Sequence, residues 1–175
     1  MKQMHIITGA PGTGKTSIIN ELKKRGYNCS DEISRKIISE QIKINGDILP
    51  WKNQIAFENK VAKLRTQQYL SIPKNRICFF DRSAIDCIAY LKLNNLEITS
   101  DIIKEVKKCN FNKIVFYTPI WEEIYVTDKE RKESINQAQK IEKSIVNTYQ
   151  SKGYKLIPIP KISIKERANF IVSNT

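Results

Sequence analysis

A short stretch near the start of the chain, Gly9-Ala10-Pro11-Gly12-Thr13-Gly14-Lys15-Thr16, has the residue types and spacing of a phosphate-binding loop. It matches the pattern G-x-x-x-x-G-K-[ST] at every fixed position. Glycines let backbone N–H groups turn inward around phosphates, and the N-terminus of a following helix adds its positive dipole end. Lys15 is expected to reach the β- and γ-phosphates, and the Thr16 hydroxyl to ligate Mg²⁺. Together with Ser17, these residues predict a site for ATP, or for GTP, with Mg²⁺.

A second set of polar residues follows the apolar run 76–81, which predicts a strand. Asp81 ends that run, where an acid beside the loop threonine can hold Mg²⁺; its alternative role is to cap the next helix. Arg82 can hold a phosphate or a substrate bidentately, or form a structural salt bridge. Asp86 can orient Arg82, bind substrate, or be a surface acid.

Glu32 and Arg35 follow another short strand, and their three-residue spacing places both on one helical face. A carboxylate here faces the γ-phosphate across the cleft, where an acceptor hydroxyl needs a proton acceptor. Glu32 is therefore a candidate base or substrate ligand, and Arg35 a candidate substrate ligand. Asp31 competes with Glu32 for the position that caps the helix.

The charged segment 127–132 lies between a strand and a long helix. It is either a solvated helix start or part of a lid formed by residues 122–134. In that lid Arg131, alone or with Lys129, would neutralise the transferring phosphoryl group. Trp51 lies in a region able to cover the acceptor, where it either stacks on a planar substrate or packs in the core. Trp121 is expected to pack at the base of the lid.

The elements that position these residues alternate between strand and helix. Apolar runs predict five strands at Met4–Thr8, 27–30, 76–81, 112–119 and 154–160. Helical patterns lie at 17–25, through most of 32–75, and at 85–93, 101–109, 134–151 and 164–173. This alternation predicts an α/β fold with a parallel sheet covered on both faces. Right-handed crossovers then bring the residues that follow every strand to one edge.

Composition limits the remaining possibilities. A length of 175 residues favours a single domain spanning 1–175. No apolar run approaches the roughly 18 residues that a membrane helix needs. Four cysteines without a C-x-x-C pair favour reduced thiols over a zinc site, and the only histidine is expected to pack in the first strand. The net charge of +12 comes from dispersed lysines, without interleaved aromatic residues, so nucleic acid is not the expected partner.

The chain resembles the P-loop domains of the NadR/TRP-translocation-defect type, a group of AAA-like ATPases among the nucleoside and nucleotide kinase-like P-loop NTPases. The matching stretches begin with GAPGTGKT, GYNCSDEISRKII and FFDRSAIDCIAY, and continue with TPIWEEIYVTDKERKES and GYKLIPIPKISIKERANFI. The resemblance implies a kinase-type, three-layer fold with sheet order 2-3-1-4-5. It also implies a lid around Arg131 and a contact between the nucleotide base and the loop near Pro160.

These observations lead to a cytoplasmic, ATP- and Mg²⁺-dependent kinase as the expected function. Its acceptor would be a small nucleoside-, nucleotide- or riboside-like molecule covered by the helical region 32–75. The expected catalytic residues are Lys15, Glu32, Asp81, Arg82 and Arg131. The first alternative is a nucleotide-dependent switch or slow NTPase that acts with a protein or membrane partner. The second is a polynucleotide 5′-kinase or a nucleic-acid-linked ATPase, which the basic charge alone suggests.

Overall fold

The computed structural model describes residues 3–73, 76–124 and 134–175. These residues form five strands and seven α-helices. The strands are β1 (Met4–Thr8), β2 (Asn28–Cys29), β3 (Cys78–Asp81), β4 (Ile114–Tyr117) and β5 (Lys155–Pro158). The helices are α1 (Lys15–Lys24), α2 (Ile33–Lys43), α3 (Gln54–Ser71), α4 (Ala84–Leu93), α5 (Ser100–Lys108), α6 (Ile135–Ser151) and α7 (Ile164–Ser173). A 3₁₀ turn (Glu122–Ile124) follows β4.

The five strands pair in parallel in the order β2-β3-β1-β4-β5, which confirms the expected kinase-type sheet. Ile7 lies opposite Asp81, and Thr8 lies opposite Tyr117. The ends of β1, β3 and β4 therefore meet at one edge. This register brings the loop after β1 beside the residues that follow β3.

Alternating side chains of the central strands build a core on each face of the sheet. Ile7, Phe79 and Phe116 pack with buried residues of α1 and α7 on one face. Ile6 and Phe80 pack with residues of α4 and α6 on the other face. A further cluster joins α2, α3, α4 and α5, and it fixes the helices that lie within the region 32–75.

The only histidine packs as expected. His5 is buried in β1 with its ring 5.8 Å from that of Phe79 and 6.3 Å from that of Phe116, centroid to centroid. Burial lowers the pKa of His5, so the neutral imidazole is favoured. Within the part of the chain described here, no helix has both the length and the apolar character needed to cross a bilayer.

Candidate nucleotide and acceptor site

The loop after β1 folds back tightly because glycines occupy positions where a side chain does not fit. Gly9 has φ +139°, and a Cβ added there would lie 2.3 Å from the Thr118 hydroxyl oxygen. Gly14, directly before α1, has φ +86°. These left-handed conformations favour glycine, and they direct the loop around the N-terminus of α1. The structure thus provides the backbone cradle that the loop sequence predicts.

Lys15 lies against this loop rather than in solvent. Its side chain is buried, and Nζ donates a hydrogen bond to the Ala10 carbonyl over 2.6 Å. The Thr13 hydroxyl donates to the same carbonyl over 2.9 Å, and it also lies 2.5 Å from the Thr118 hydroxyl. Lys15 lines a cavity together with the other residues of 11–17, and its contact with phosphate oxygens stays a prediction.

Arg167 of α7 contacts the backbone of the phosphate loop, and the sequence alone did not predict this contact. Its side chain is buried, and Nη2 donates a hydrogen bond to the Thr13 carbonyl over 3.2 Å. The guanidinium carbon lies 5.9 Å from the centroid of the Trp121 ring. Trp121, in the segment between β4 and the 3₁₀ turn, therefore packs beside Arg167 of α7. Burial lowers the pKa of Arg167, yet a guanidinium remains charged in proteins.

Thr16 and Asp81 are the residues able to hold a divalent cation. They follow β1 and end β3, two neighbouring strands. Asp81 is buried, and its Oδ1 has no hydrogen-bond partner among the described residues. Burial raises the pKa of Asp81, while nearby Lys15 and Arg82 oppose that shift. A hydroxyl and an unpartnered carboxylate oxygen are donors that Mg²⁺ prefers, so these residues fit the expected cation.

Glu32 occupies the N-cap position of α2 without a side-chain capping bond, and its carboxylate instead contacts the loop. Its Oε2 accepts a hydrogen bond from the Thr16 hydroxyl over 3.2 Å, and its Oε1 lies 3.4 Å from Nε of Arg35. Asp31, the competing candidate for the cap, instead pairs with Lys23 over 2.5 Å and is exposed. Glu32 and Arg35 both line the cavity that contains Thr16. The structure therefore brings together the candidate proton acceptor and the phosphate loop.

Arg82 is held in place through both its backbone and its side chain. Its backbone is left-handed, with φ +68°, and its N–H donates to the Ile7 carbonyl over 3.0 Å. The side chain donates to Asp86 Oδ1 over 3.2 Å, and its guanidinium carbon lies 5.5 Å from the centroid of the Tyr90 ring. Strained backbone of this kind persists where surrounding contacts fix it, often at functional sites. Arg82 lines the cavity as a fixed cation.

Asp86 is a buried hydrogen-bonding centre and not a surface acid. It has no exposed surface, and it accepts hydrogen bonds from the Thr8 hydroxyl, the Ser83 N–H and the Tyr149 hydroxyl. Burial alone would raise its pKa, but Arg82 and these donors lower it, so the carboxylate is ionised. Asp86 does not line the cavity. It orients Arg82, which was one of the roles open to it.

The structure does not place Trp51 or Pro160 on the cavity, and it does not describe Arg131. Trp51 is 60% exposed and does not line the cavity, although the preceding Pro50 does. The core-packing alternative for Trp51 is therefore wrong, and its stacking on a substrate stays a prediction. Pro160 lies in the loop after β5 without lining the cavity. Arg131 and most of the expected lid lie outside the described residues.

A cavity of about 490 Å³ joins the phosphate loop to the helices of the region 32–75. Residues 11–17 line one end. The other wall is lined by Glu32, Ser34, Arg35, Ile38, Pro50, Gln54, Phe57, Glu58, Arg65, Arg82 and Tyr90. The four cavity residues of α3 were not recognised as site residues from the sequence, because the helical pattern alone does not show which face meets a cavity.

Comparisons with known proteins agree with this architecture. The family model AAA_28, described as an AAA domain, matches residues 4–167. A NadR protein in complex with NR superposes with a TM-score of 0.77 at 16% identity, covering 99% of this chain and 51% of that one. The chain thus spans about half of that NadR protein. No curated protein matches the chain.

Two kinases share the fold over nearly their whole length. Deoxyadenosine kinase from M. mycoides, with products dCMP and a flexible dCDP bound, gives a TM-score of 0.68 at 16% identity, covering 98% of this chain and 97% of that one. Thymidylate kinase from Candida albicans gives a TM-score of 0.66 at 14% identity, covering 99% of this chain and 90% of that one. These likenesses confirm a P-loop fold of the nucleoside kinase-like type.

Proposed function

The chain belongs to the AAA domain family, and from that premise we propose that it is an ATP- and Mg²⁺-dependent kinase for a small nucleoside-, nucleotide- or riboside-like acceptor. The observation that supports this proposal most strongly is the cavity shared by the phosphate loop and α3. An acceptor bound against α3 would lie in the same space as the terminal phosphate. Kinase relatives of the same fold add support.

The nucleotide would bind with its phosphates in the loop. Backbone N–H groups of the loop and the N-terminus of α1 would surround the phosphate oxygens, and Lys15 would contact the β- and γ-phosphates. Thr16 and Asp81 would hold Mg²⁺, which neutralises charge on the phosphate oxygens when bound. The Oδ1 of Asp81, which has no hydrogen-bond partner in the described ranges of the chain, supports this assignment.

The acceptor hydroxyl would meet Glu32. In the transfer step the oxygen of the acceptor hydroxyl forms a bond to the γ-phosphorus. The bond from that phosphorus to the bridging oxygen of ADP breaks, and the hydroxyl proton passes to Glu32. Arg35 and Arg82 both line the cavity and would bind substrate oxygens. We further propose that Arg131 disperses negative charge during transfer and that the loop at Pro160 contacts the nucleotide base.

The test is ATP consumption by the purified chain against a panel of nucleosides, nucleotides and ribosides. We expect at least one compound to accelerate ADP formation well above the rate with water alone, with a phosphorylated product detectable by mass. The Lys15→Ala variant serves as the control for a contaminating kinase. Hydrolysis that no acceptor accelerates would contradict the proposal and favour the switch or slow NTPase.

A further inference from the structure

Helix α3 places two buried ionisable side chains on the acceptor wall of the cavity. Glu58 is 4% exposed and Arg65 is 6% exposed, and both line the cavity. They are seven residues apart, so they share one face of the helix. Buried charged groups need hydrogen-bond or charge partners. The hydrogen-bonding capacity that the present partners leave unused determines what this wall can bind.

Glu58 retains much of its capacity to accept hydrogen bonds. Its side-chain hydrogen bond is with the Cys87 thiol, a weak donor, whereas a carboxylate has about four lone-pair sites. Burial raises the pKa of Glu58 to about 7, although Arg65 and Arg82 act in the opposite direction. Both the carboxylate and the carboxylic acid are therefore populated near neutral pH.

Arg65 is fixed by three hydrogen bonds that its two terminal nitrogen atoms donate. Nη1 donates to the Ser83 carbonyl over 3.0 Å and to Cys87 Sγ over 3.5 Å, and Nη2 donates to the Ser34 hydroxyl over 3.2 Å. Its buried Nε has no partner among the described residues. An acceptor and a donor, each with unused capacity, thus lie on the same face of α3.

The surroundings of this pair suit a flat ring. Ile38, Pro50, Phe57 and Tyr90 supply apolar and aromatic surface to the cavity. Gln54 is already committed, since its amide donates to the Tyr90 carbonyl over 3.4 Å and accepts from Asn94 over 2.7 Å. Glu58 is consequently the cavity-lining group with the greatest unused hydrogen-bonding capacity on α3.

We propose that Glu58 is a specificity-determining residue, whose carboxylate accepts a hydrogen bond from an N–H group on a planar heterocycle or carboxamide of the acceptor. Arg65 is a positioning residue, which holds the Glu58 carboxylate electrostatically. The inference rests on the proposed function. It concerns the part of the acceptor that lies remote from the reacting hydroxyl.

Binding of such an acceptor should depend on pH. The ionised form of Glu58 accepts the N–H, so affinity should rise as pH increases through the neutral range. The charged and titratable groups that face Glu58 are Arg65 on its own helix, Arg82 before α4, and Asp86 and Cys87 on α4. Glu32 and Arg35 line the same cavity from α2.

The experiment measures binding by calorimetry, and turnover separately, for uridine, cytidine, inosine and adenosine as ribosides and deoxyribosides. Each is compared with the analogue whose exchangeable base N–H groups are replaced by N-methyl. We expect at least one parent compound to bind wild-type protein about tenfold or more tightly than its methylated analogue, because the analogue leaves Glu58 unsatisfied. Glu58→Met, which has a similar length but no acceptor oxygen, should remove most of that difference, changing KM more than kcat. Glu58→Gln keeps an acceptor oxygen but does not ionise, so it should flatten the pH profile. Glu97→Gln, an exposed carboxylate outside the site, should behave as wild type.

Equal affinity for parent and analogue, a preference unchanged in Glu58→Met, or no binding by any parent compound would overturn the inference. If Glu58→Met does not fold, the pH profiles of wild type and Glu58→Gln decide the question: affinity that rises through neutral pH in wild type alone supports the inference, and equal profiles overturn it. A compound that binds through Glu58 but is not phosphorylated would support this inference while contradicting the proposed kinase. A compound that wild type and Glu58→Met phosphorylate with equal KM would support the proposed kinase while contradicting the role of Glu58.

Discussion

The Thr16 hydroxyl donates a hydrogen bond to Glu32 Oε2 over 3.2 Å, joining the phosphate loop to the start of α2. A hydroxyl donates through its proton and can ligate a cation through an oxygen lone pair, so both contacts can exist together. The bond therefore holds the proposed base beside the position expected for the γ-phosphate. Glu32 would be oriented before the acceptor arrives.

Replacing the proposed base tests this geometry directly. Glu32→Gln keeps the shape and a hydrogen-bond acceptor but removes the proton acceptor, so kcat for acceptor phosphorylation should fall by about 10²- to 10⁴-fold. Affinity for ATP, measured by calorimetry, should change little. The neighbouring Asp31→Asn is the matched control because Asp31 pairs with Lys23 at the surface. A kcat equal to that of the control would rule out Glu32 as the base.

The cation assignment predicts a selective loss. Asp81→Asn removes the buried carboxylate whose Oδ1 lacks a partner among the described residues, so it should weaken binding of ATP with Mg²⁺ more than binding of ATP in the presence of a chelator. Titrating Mg²⁺ at fixed ATP should show a higher half-saturating concentration, on the order of tenfold. Identical Mg²⁺ dependence in the two proteins would show that Asp81 does not hold the cation.

Glu58 should make folding stability depend on pH. Burial raises its folded pKa from 4.5 to about 7, so the folded state favours the protonated form. Its stabilising contribution is complete below the unfolded pKa and is lost as pH rises through about 7. Between pH 4.5 and 8, the unfolding free energy of wild type should fall relative to Glu58→Gln by on the order of 3 kcal/mol. Urea unfolding of both proteins at several pH values in this range measures the difference. Unfolding free energies that change with pH in the same way in both proteins would contradict the prediction.

Arg167 should support the phosphate loop without contacting the acceptor. Arg167→Lys keeps the charge but loses the fixed guanidinium that donates to the Thr13 carbonyl, so ATP affinity should fall by about tenfold. The KM for the acceptor should stay close to its wild-type value. Lys165→Ala, an exposed residue of the same helix, is the control. Unchanged ATP affinity would show that the loop keeps its shape without Arg167.

The sequence was sufficient to predict the loop, the sheet and most of the site edge. Apolar runs identify the strands, and parallel crossovers then require Thr16, Glu32 and Asp81 to meet at one edge. Element boundaries were less accurate. The third strand was expected at 76–81 but begins at Cys78, where pairing with Met4 of β1 starts.

Glu58, Arg65 and Arg167 were not predicted because their burial depends on distant parts of the chain. Each is a charged residue within a helix, and such residues are usually exposed. Arg65 is buried by contacts with Ser34, Ser83 and Cys87, and Arg167 by contacts with Thr13 and Trp121. Helical spacing does not reveal these partners. Their only signal was position on the same helical face as apolar core residues.

The most direct test of the account is calorimetric titration of ATP with Mg²⁺ into folded wild-type protein and into Lys15→Ala. We predict saturable heat with wild type and affinity reduced at least about tenfold in the variant, because Lys15 contacts the phosphates. Lys24→Ala, an exposed lysine at the other end of α1, should bind as wild type does. Absence of heat with both ATP and GTP in folded wild-type protein, or equal binding by Lys15→Ala, would contradict the assignment of the nucleotide site.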